Sequence, residues 1–364
     1  NSVRIANGTL IGDRNVNSNT GSYYDNSAPI FVHDSKNVVI ENVISKDSRG
    51  DGLRVGGFES NDSRFSDFEM NITVRNFKAT NQKRNGLTIA KGRGLLFDNC
   101  IFENSNGQSP QAGVDIEPYV GRGNVFDVTF TNCTVTGNAG GGLYVQNCEG
   151  ARIDKCDLQG FMTRHALDVL VTNSTISSSS IKSSSVVLNG NKLKIMSLQP
   201  TTDSYGTKYT IVVENNVFYG DVADCGARHA IVCTNATPQN HDKLIIRNNI
   251  FDIYTENFAL FAFSGTTKEF ANGIHFQGNT IYKTGKGNKD VNQGAVMMAT
   301  GEDIYFTDNV VWVDTLSSYW QNAILATLSG ITTAIFAANK IEVPRNQEGV
   351  TYNPAYAYMI KIMS

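Results

Sequence analysis

The segment GVDIEPY, residues 113–119, carries two carboxylic acids separated by one apolar residue. Val114 and Ile116 are predicted to face the core of a strand, so Asp115 and Glu117 share the opposite, outer face. Cα atoms two positions apart on a strand lie about 6.6 Å apart, near the lower end of the about 6.5–9.5 Å carboxyl separation of inverting glycosidases. Mutual repulsion raises the pKa of one carboxyl group and makes it a usable general acid. The pair predicts acid–base chemistry; the alternative is that both acids only solvate a sheet face.

A recurring phrase, Gly/Ala-apolar-x-apolar, places further polar residues beside that pair. Its copies are GLRV, GLTI, GVDI, GLYV and ALDV, and the residue x of each copy faces outward. The predicted outward column comprises Arg54, Thr88, Asp115, Tyr144 and Asp168. Gln146 is predicted to lie one step further along its strand, level with Glu117. Asp168, two coils and about 9.6 Å from Asp115, is a candidate third carboxylate, and the other side chains are candidate sugar ligands.

Two basic residues at strand ends are further candidates. His165 precedes the ALDV phrase at its turn, where an imidazole can serve as a base or bind sugar. Lys91 lies where the GLTI coil turns away and can hold a substrate carboxylate. Both residue types are also common as solvated turn side chains. No Cys/His spacing resembles a zinc site, so the sequence predicts neither a metal nor another cofactor.

The candidate residues belong to a chain that repeats about every 30 residues. The repeat phrase is apolar-x-apolar-x-Asn/Asp/Cys-x-apolar, from VIENVI at residues 39–44 to FAANKI at residues 336–341. Parallel strands stack about 4.8 Å apart, so asparagines at one position of the phrase are predicted to bond in a ladder. Aligning the copies puts these residues in one column: Cys100, Cys133, Asn216, Asn249, Asn279, Asn309 and Asn339.

The elements that carry these residues are predicted to be strands. Short apolar stretches alternate with period two, and Gly, Asn, Asp and Ser separate them. A unit of about 30 residues with three short strands and three turns is typical of a parallel β-solenoid. We predict one all-β domain over residues 1–364 with about ten to twelve coils and a long insertion near residues 177–207.

Charge and hydropathy argue against two classes of partner, nucleic acids and membranes. The formal net charge is −3 and no basic cluster occurs, which argues against nucleic acid. No apolar stretch approaches the about 18 residues needed to cross a bilayer, so no membrane partner is predicted. The chain starts directly in repeat-like sequence at Asn1, which predicts that an N-terminal part of the natural protein has been removed.

Four segments carry a family resemblance: GTLIGDR (8–14), RGDGLRVGG (49–57), KRNGLTI (83–89) and AGVDIEPY (112–119). They resemble the right-handed parallel β-helix superfamily, which includes pectate-lyase-like enzymes, mannuronan epimerases and bacteriophage tailspikes. The resemblance implies a right-handed helix with polysaccharide lying along one outer sheet. It also implies that acids on successive coils carry the chemistry, here Asp115, Glu117 and Asp168.

Within that superfamily the chain is most similar to tailspike depolymerases. That similarity implies an endo-acting hydrolase of a bacterial capsule or O-antigen. It further implies a homotrimer in the virion tail, joined to the tail or baseplate through the removed N-terminal part. A secreted or cell-surface location is the alternative.

Two other functions remain open. The first is a polysaccharide lyase or C5-epimerase on a uronate polymer, with Tyr144 or His165 as the base. In that case Arg54, Lys91 or Gln146 neutralises the substrate carboxylate. The second is a non-catalytic adhesin whose groove only binds glycan.

The C-terminal half has apolar residues at its predicted outward positions. They lie in the segments Ala230–Cys233, Ala259–Ala262, Ala295–Met298 and Ala323–Ala326. A solvent-facing sheet this apolar needs a cover. The pattern therefore predicts burial beneath other segments or against other subunits of a trimer.

Overall fold

The computed structural model describes residues 2–14, 27–56, 69–118, 125–199, 207–221, 229–233, 241–254, 260–264, 270–284, 297–300, 303–314, 326–342 and 360–363. In these ranges the regular structure is β-strand, and paired strands run parallel. None of the described residues forms a helix long and apolar enough to cross a membrane. The chain divides into two compact units, residues 1–176 and 177–364. Whether both units make one continuous domain stays a prediction.

The first unit is built from short strands, and a further strand, Thr175–Lys182, begins in it and ends in the second unit. In chain order these strands are β1 (Val3–Ile11), β2 (Phe31–Val32), β3 (Val38–Lys46), β4 (Leu53–Val55), β5 (Ile72–Arg75), β6 (Lys78–Thr80), β7 (Leu87–Ile89), β8 (Gly92–Asp98), β9 (Ile101–Glu103), β10 (Ala112–Ile116), β11 (Val125–Thr131), β12 (Thr134–Thr136), β13 (Gly141–Gln146), β14 (Cys148–Asp154), β15 (Asp157–Leu158), β16 (Phe161–Arg164), β17 (Val169–Thr172) and β18 (Thr175–Lys182).

Strands of the first unit stack into three parallel sheets, one strand from each coil. Sheet A contains β1, β3, β5, β8, β11, β14 and β17. Sheet B contains β6, β9, β12 and β15. Sheet C contains β2, β4, β7, β10, β13 and β16. This arrangement is a parallel β-helix, as the alternating apolar pattern predicts.

Period-two alternation decides which side chains of sheet C enter the core. Leu53, Leu87, Val114 and Leu143 are fully buried and in register on consecutive strands. The residues between the inward positions therefore point to the other face of the sheet. Because an apolar residue recurs at the same place in each copy, the coils can stack only in this register.

The turn from sheet A to sheet B is a left-handed residue followed by an inward one. Asn99 and Asn132 have φ of 53° and 54°, values that Asn tolerates better than most residues. The next residues, Cys100 and Cys133, are buried together with Cys156 of the following coil. The Cys133 thiol lies 3.5 Å from the Phe97 carbonyl oxygen. These cysteines fill the inner corner as small side chains.

Strands of the second unit follow the same plan. In chain order they are β19 (Val186–Asn189), β20 (Lys192–Leu198), β21 (Tyr209–Glu214), β22 (Val217–Asp221), β23 (Ile231–Cys233), β24 (His241–Arg247), β25 (Ile250–Tyr254), β26 (Phe261–Ser264), β27 (Ile274–Gln277), β28 (Thr280–Thr284), β29 (Met297–Thr300), β30 (Ile304–Thr307), β31 (Val310–Asp314), β32 (Ala326–Ser329), β33 (Ala334–Ala337), β34 (Lys340–Glu342) and β35 (Ile360–Met363).

These strands also form three parallel sheets. Sheet D contains β19, β21, β24, β27, β30 and β33. Sheet E contains β22, β25, β28, β31 and β34, and sheet F contains β23, β26, β29, β32 and β35. Sheet A has seven described strands and sheet D six. The predicted insertion near residues 177–207 is wrong over 177–198, because most of this segment is strand.

The predicted asparagine ladder occupies the inner corner between sheets D and E. The amide nitrogen of Asn216 donates to the amide oxygen of Asn249 at 3.0 Å. Asn249 donates in the same way to Asn279, and Asn279 to Asn309, also at 3.0 Å. Each of these amides also donates to a backbone carbonyl, as Asn249 does to Val213 at 2.8 Å. The ladder is confirmed, and it satisfies buried backbone groups as well as the amides.

The register predicted for sheet F is wrong by one residue in its later strands. Phe261 pairs with Ile231 and faces the core, whereas the phrase ALFA predicts Phe261 on the outer face. Met297 pairs with Phe261 and is buried too. A slip of one residue moves every side chain to the opposite face. The outer face of this sheet is therefore less apolar than predicted; residues 259, 295–296 and 323–325 lie outside the described part.

Candidate functional site

Sheet C brings most of the predicted site residues into one column. Arg54 pairs with Thr88, Thr88 with Asp115, and Asp115 with Tyr144. Glu117 follows β10 directly, and its N–H donates to the Ile89 carbonyl at 2.9 Å, which continues the same ladder. The predicted register of the first four copies is confirmed. It follows from the Gly-apolar-x-apolar phrase, which fixes the inward positions.

The column is much more buried than predicted. Arg54, Thr88 and Asp115 are only 3%, 2% and 1% exposed. The Glu117 side chain is 51% exposed, so this acid is the accessible member of the pair. The prediction that Asp115 faces solvent is wrong. Alternation correctly sends its side chain away from the core, but burial also depends on what packs on that outer face.

A buried ion-pair cluster lies directly beside the two acids. Asp51 is fully buried and accepts hydrogen bonds from Arg84 Nη1 at 3.1 Å on both carboxylate oxygens. Arg54 Nη1 donates to the same carboxylate at 3.3 Å. Arg84 Nη2 then reaches Glu117 Oε2 at 3.4 Å. Asp51 precedes β4 and Arg84 precedes β7, so these contacts link two successive coils to Glu117, which follows β10 on the third.

Thr88 completes this cluster. Its hydroxyl oxygen accepts from Arg84 Nη1 at 3.2 Å and from the Asn85 amide at 3.0 Å. The same hydroxyl donates to Asp51. The Asn85 backbone N–H also donates to Asp51, at 3.2 Å. Thr88, predicted as a sugar ligand, has its hydrogen-bonding capacity engaged by the protein.

Asp51 and Arg84 are not among the predicted site residues. Both lie just before a strand of sheet C, in SRGDGLR and KRNGLTI, where Asp-Gly and Asn-Gly indicate turns. The available signal was charge complementarity. An acid and a base at neighbouring positions of the same turn, on stacked coils, are placed to form an ion pair.

Asp115 interacts with the neighbouring acid Glu117. Burial, followed by the negative charge of Glu117, raises the pKa of Asp115 to about 7, against the opposing effects of Arg84 and of the Gln146 amide. The two carboxyl groups also hydrogen bond to each other. The predicted carboxyl separation of an inverting glycosidase stays a prediction. Burial and the negative charge of Glu117 both favour the protonated form of Asp115.

The surrounding charges respond to burial in the expected directions. Burial raises the pKa of Asp51 against the effects of Arg84, Thr88 and Arg54. Burial also lowers the pKa of Arg54, and Asp51 opposes this shift. For Arg84 burial alone acts to lower the pKa, but the ion pair with Asp51 and the negative charges of Asp115 and Glu117 raise it overall.

Tyr144 and Gln146 lie on the coil above Asp115. The Gln146 amide donates to Asp115 Oδ1 at 3.2 Å, so this residue contacts the candidate catalytic pair. The Tyr144 hydroxyl donates to the Gly140 carbonyl oxygen. Burial and the negative charge of Asp115 raise the pKa of Tyr144. A phenol with a raised pKa and an engaged hydroxyl is a poor general base near neutral pH.

Asp168 does not belong to this column, and its predicted position is wrong. Tyr144 pairs with Met162 of β16, so FMTR, and not ALDV, is the next copy in sheet C. Asp168 has φ of 49°, lies just before β17 of sheet A, and forms an ion pair with Arg152. The phrase ALDV matches the pattern, but Phe161 occupies the inward position that its Leu167 was assigned.

Lys91 and His165 lie outside the column as well. Lys91 lies two positions beyond the end of β7. Its ammonium group forms an ion pair with Asp34 at 3.8 Å. His165 follows β16 with φ of 52° and is half-buried. A sugar-binding role for either residue stays a prediction. Within the described ranges no three or more His, Cys, Asp or Glu side chains are grouped so that they could hold a metal.

Comparison with known proteins identifies the family. The model of the family "Right handed beta helix region" matches residues 119–311, more than half of the chain, and the chain therefore belongs to this family. Proteins of this fold commonly act on polysaccharides. The predicted right-handed parallel β-helix is confirmed.

Two curated proteins of Bacillus subtilis (strain 168) are similar to part of the chain. One is the "SPbeta prophage-derived uncharacterized protein YorA", 30% identical over 154 residues that cover 39% of this chain and 26% of the relative. The other is the "Uncharacterized protein YclG", 28% identical over 167 residues that cover 42% and 28%. The chain thus matches only about a quarter of the length of each relative.

Proposed function

We propose that this chain is a glycoside hydrolase that cleaves a bacterial capsular polysaccharide or O-antigen. The observation that carries the proposal is the pairing of a buried acid, Asp115, with an accessible one, Glu117; burial and the charge of Glu117 raise the pKa of Asp115 to about 7. Glycoside hydrolysis uses paired carboxylic acids with pKa values tuned to the operating pH. The family supports the substrate class, because β-helix proteins commonly act on polysaccharides.

The proposed mechanism gives the two acids different tasks. The proton held by Asp115 passes through Glu117 to the glycosidic oxygen as the bond from the anomeric carbon to that oxygen breaks. The negative charge left on the pair stabilises the positive charge that develops on the sugar ring. Water adds to the anomeric carbon and returns a proton to the pair. Asp115, nearly inaccessible, acts through its hydrogen bond to Glu117.

The alternatives differ in what they require of Tyr144. A lyase or C5-epimerase needs a base to remove a carbon-bound proton, and the raised pKa of Tyr144 disfavours it in that task. His165 remains the other candidate base, outside the column of sheet C. A non-catalytic adhesin needs neither acid. The hydrolase accounts best for an accessible acid, Glu117, beside a buried acid, Asp115, whose pKa is raised.

A phage setting is part of the proposal. One relative is described as prophage-derived, which favours a component of a phage virion tail over a secreted or cell-surface protein. We propose a homotrimer attached to the phage tail or baseplate. Exposed apolar side chains of the second unit, Ile250, Tyr282, Trp312 and Ile335, supply candidate subunit contacts. Light scattering that gives a stable monomer at micromolar concentration contradicts the trimer.

The test is incubation with a panel of capsular polysaccharides and O-antigens, followed by product mass and ultraviolet absorbance. New reducing ends, with each cleavage adding one water, support the hydrolase. Unsaturated products that absorb in the ultraviolet select the lyase. Binding without any product selects the adhesin. Glu117→Gln, changed at an exposed position, serves as the matched inactive control.

A further inference from the structure

Arg84 bridges two acids in very different surroundings. Its Nη1 atom lies 3.1 Å from both oxygens of Asp51, which is fully buried. Its Nη2 atom lies 3.4 Å from the Glu117 carboxylate, whose side chain is half exposed. The planar guanidinium thus uses separate nitrogens for a buried anchor and for the accessible acid, a geometry that lysine cannot reproduce.

The anchor holds Arg84 in place from several directions. The Asp51 carboxylate accepts from Arg84, from Arg54 and from the Asn85 backbone N–H. Thr88 accepts from the same Nη1 atom of Arg84. Moving Arg84 out of this arrangement would leave the fully buried Asp51 with one cationic partner, Arg54, in place of two, which is unfavourable. Arg84 is therefore fixed in the direction that points Nη2 at Glu117.

We infer that Arg84, anchored by Asp51, is a positioning residue that holds Glu117 toward the open face and keeps a fixed positive charge beside the carboxyl pair. This role rests on the proposed function only in so far as the pair is catalytic. A cation in contact with Glu117 stabilises negative charge there. The same positive charge lowers the pKa of Asp115 and so opposes the effects of burial and of Glu117 on it.

The groups that face Asp115 support this assignment. From the coil below come Arg84 and Thr88, and beyond them Asp51 and Arg54; from the coil above come Tyr144 and Gln146. Arg84 is the cation of this set that contacts Glu117 and also acts on Asp115. With the pair holding one proton, the charges of Asp51, Arg54, Arg84 and the pair sum to zero.

The experiment follows the titration of the Asp115 carboxyl carbon by NMR, which needs no substrate. An opposite charge within about 4–6 Å lowers a carboxyl pKa by about 1–3 units, so Arg84→Met should raise the apparent pKa of Asp115 by that amount. Arg84→Lys, which keeps the charge but loses the fork, should raise it less. Arg247→Met, which removes an arginine paired with Glu214 in the second unit, is the matched control and should cause no shift.

A second variant allows the test to be made if Arg84→Met does not fold. Arg84→Met leaves Asp51 with a single cationic partner and can fail to fold. The double variant Asp51→Asn/Arg84→Gln removes one buried charge of each sign and should show the same upward shift. An Asp115 titration unchanged from wild type in the folded variants overturns the inference. A shift without any cleavage by wild type supports the inference while the hydrolase fails; cleavage without a shift does the reverse.

Discussion

Sheets C and F are built on the same inward pattern and differ on their outer faces. In sheet C the outer column runs Arg54, Thr88, Asp115 and Tyr144, beside a buried ion-pair cluster. In sheet F the corresponding column contains Val232 and Ala262. The register in which the coils stack is determined by the inward residues and not by this outer column, because the core lies on the other face. Chemistry can therefore be confined to a few coils while the scaffold continues unchanged.

The largest expected effect is on activity. Glu117→Gln and Asp115→Asn should each lower the rate of polysaccharide cleavage by about 10²–10⁴, the usual contribution of general acid–base catalysis. Val232→Thr, a change of similar volume on the outer column of sheet F, should leave the rate unchanged. Rates are measured as reducing ends released per unit time. Near wild-type rates in both acid variants would move the active site away from sheet C.

The pH dependence of stability is the next largest effect. The unfolded Asp115 titrates near 3.8 and the folded one at about 7, so the folded state binds more protons between these values. Stability from this group is complete below the lower pKa and is lost as the pH rises through the upper one. Roughly three pKa units correspond to a loss of about 4 kcal/mol between pH 4 and pH 8.

Denaturant unfolding of wild type and Asp115→Asn across that pH range measures this loss. The variant lacks the titrating group, so the difference between the two unfolding free energies should change by the stated amount. Asp51, whose pKa burial also raises, is present in both proteins and cancels from the difference. Two parallel pH curves would show that Asp115 does not titrate as described.

The smallest expected effects compare the two inner corners. Asn249→Ala removes the acceptor of the Asn216 backbone N–H and the donor to the Val213 carbonyl. Leaving such buried groups unpaired should cost roughly 3 kcal/mol. Cys133→Ala at the matching position of the first unit removes one small apolar group and should cost roughly 1 kcal/mol. Equal losses of unfolding free energy in the two variants would show that the amide ladder adds nothing beyond volume.

Much of the fold follows from local pattern. The alternation around Leu87, Val114 and Leu143 determines which face of each strand is buried. The Gly that opens each of these phrases marks the same position in every copy. The left-handed turn residues Asn99 and Asn132 and the inward residues after them are visible in the repeat itself. The pairing of Arg54, Thr88, Asp115 and Tyr144 was predictable for the same reason.

The pattern was insufficient where two copies compete. ALDV and FMTR both satisfy the requirement for alternation, and the structure places FMTR in sheet C and Asp168 near sheet A. In sheet F the phrases ALFA and LFAF differ by one residue, and only packing of Phe261 against the core decides between them. A strand period of two makes every such error a change of face.

The sequence by itself determined the parallel β-helix, the asparagine ladder and the pairing of two acids, because these depend on the spacing of residue types along the chain. Tertiary structure decided that Asp115 is buried while Glu117 stays accessible. It also joined Asp51 and Arg84, which lie 33 residues apart, into the ion pair beside them. Burial and the charges of neighbouring coils set the pKa of a carboxyl group, and neither can be obtained from the local sequence of the strand that carries it.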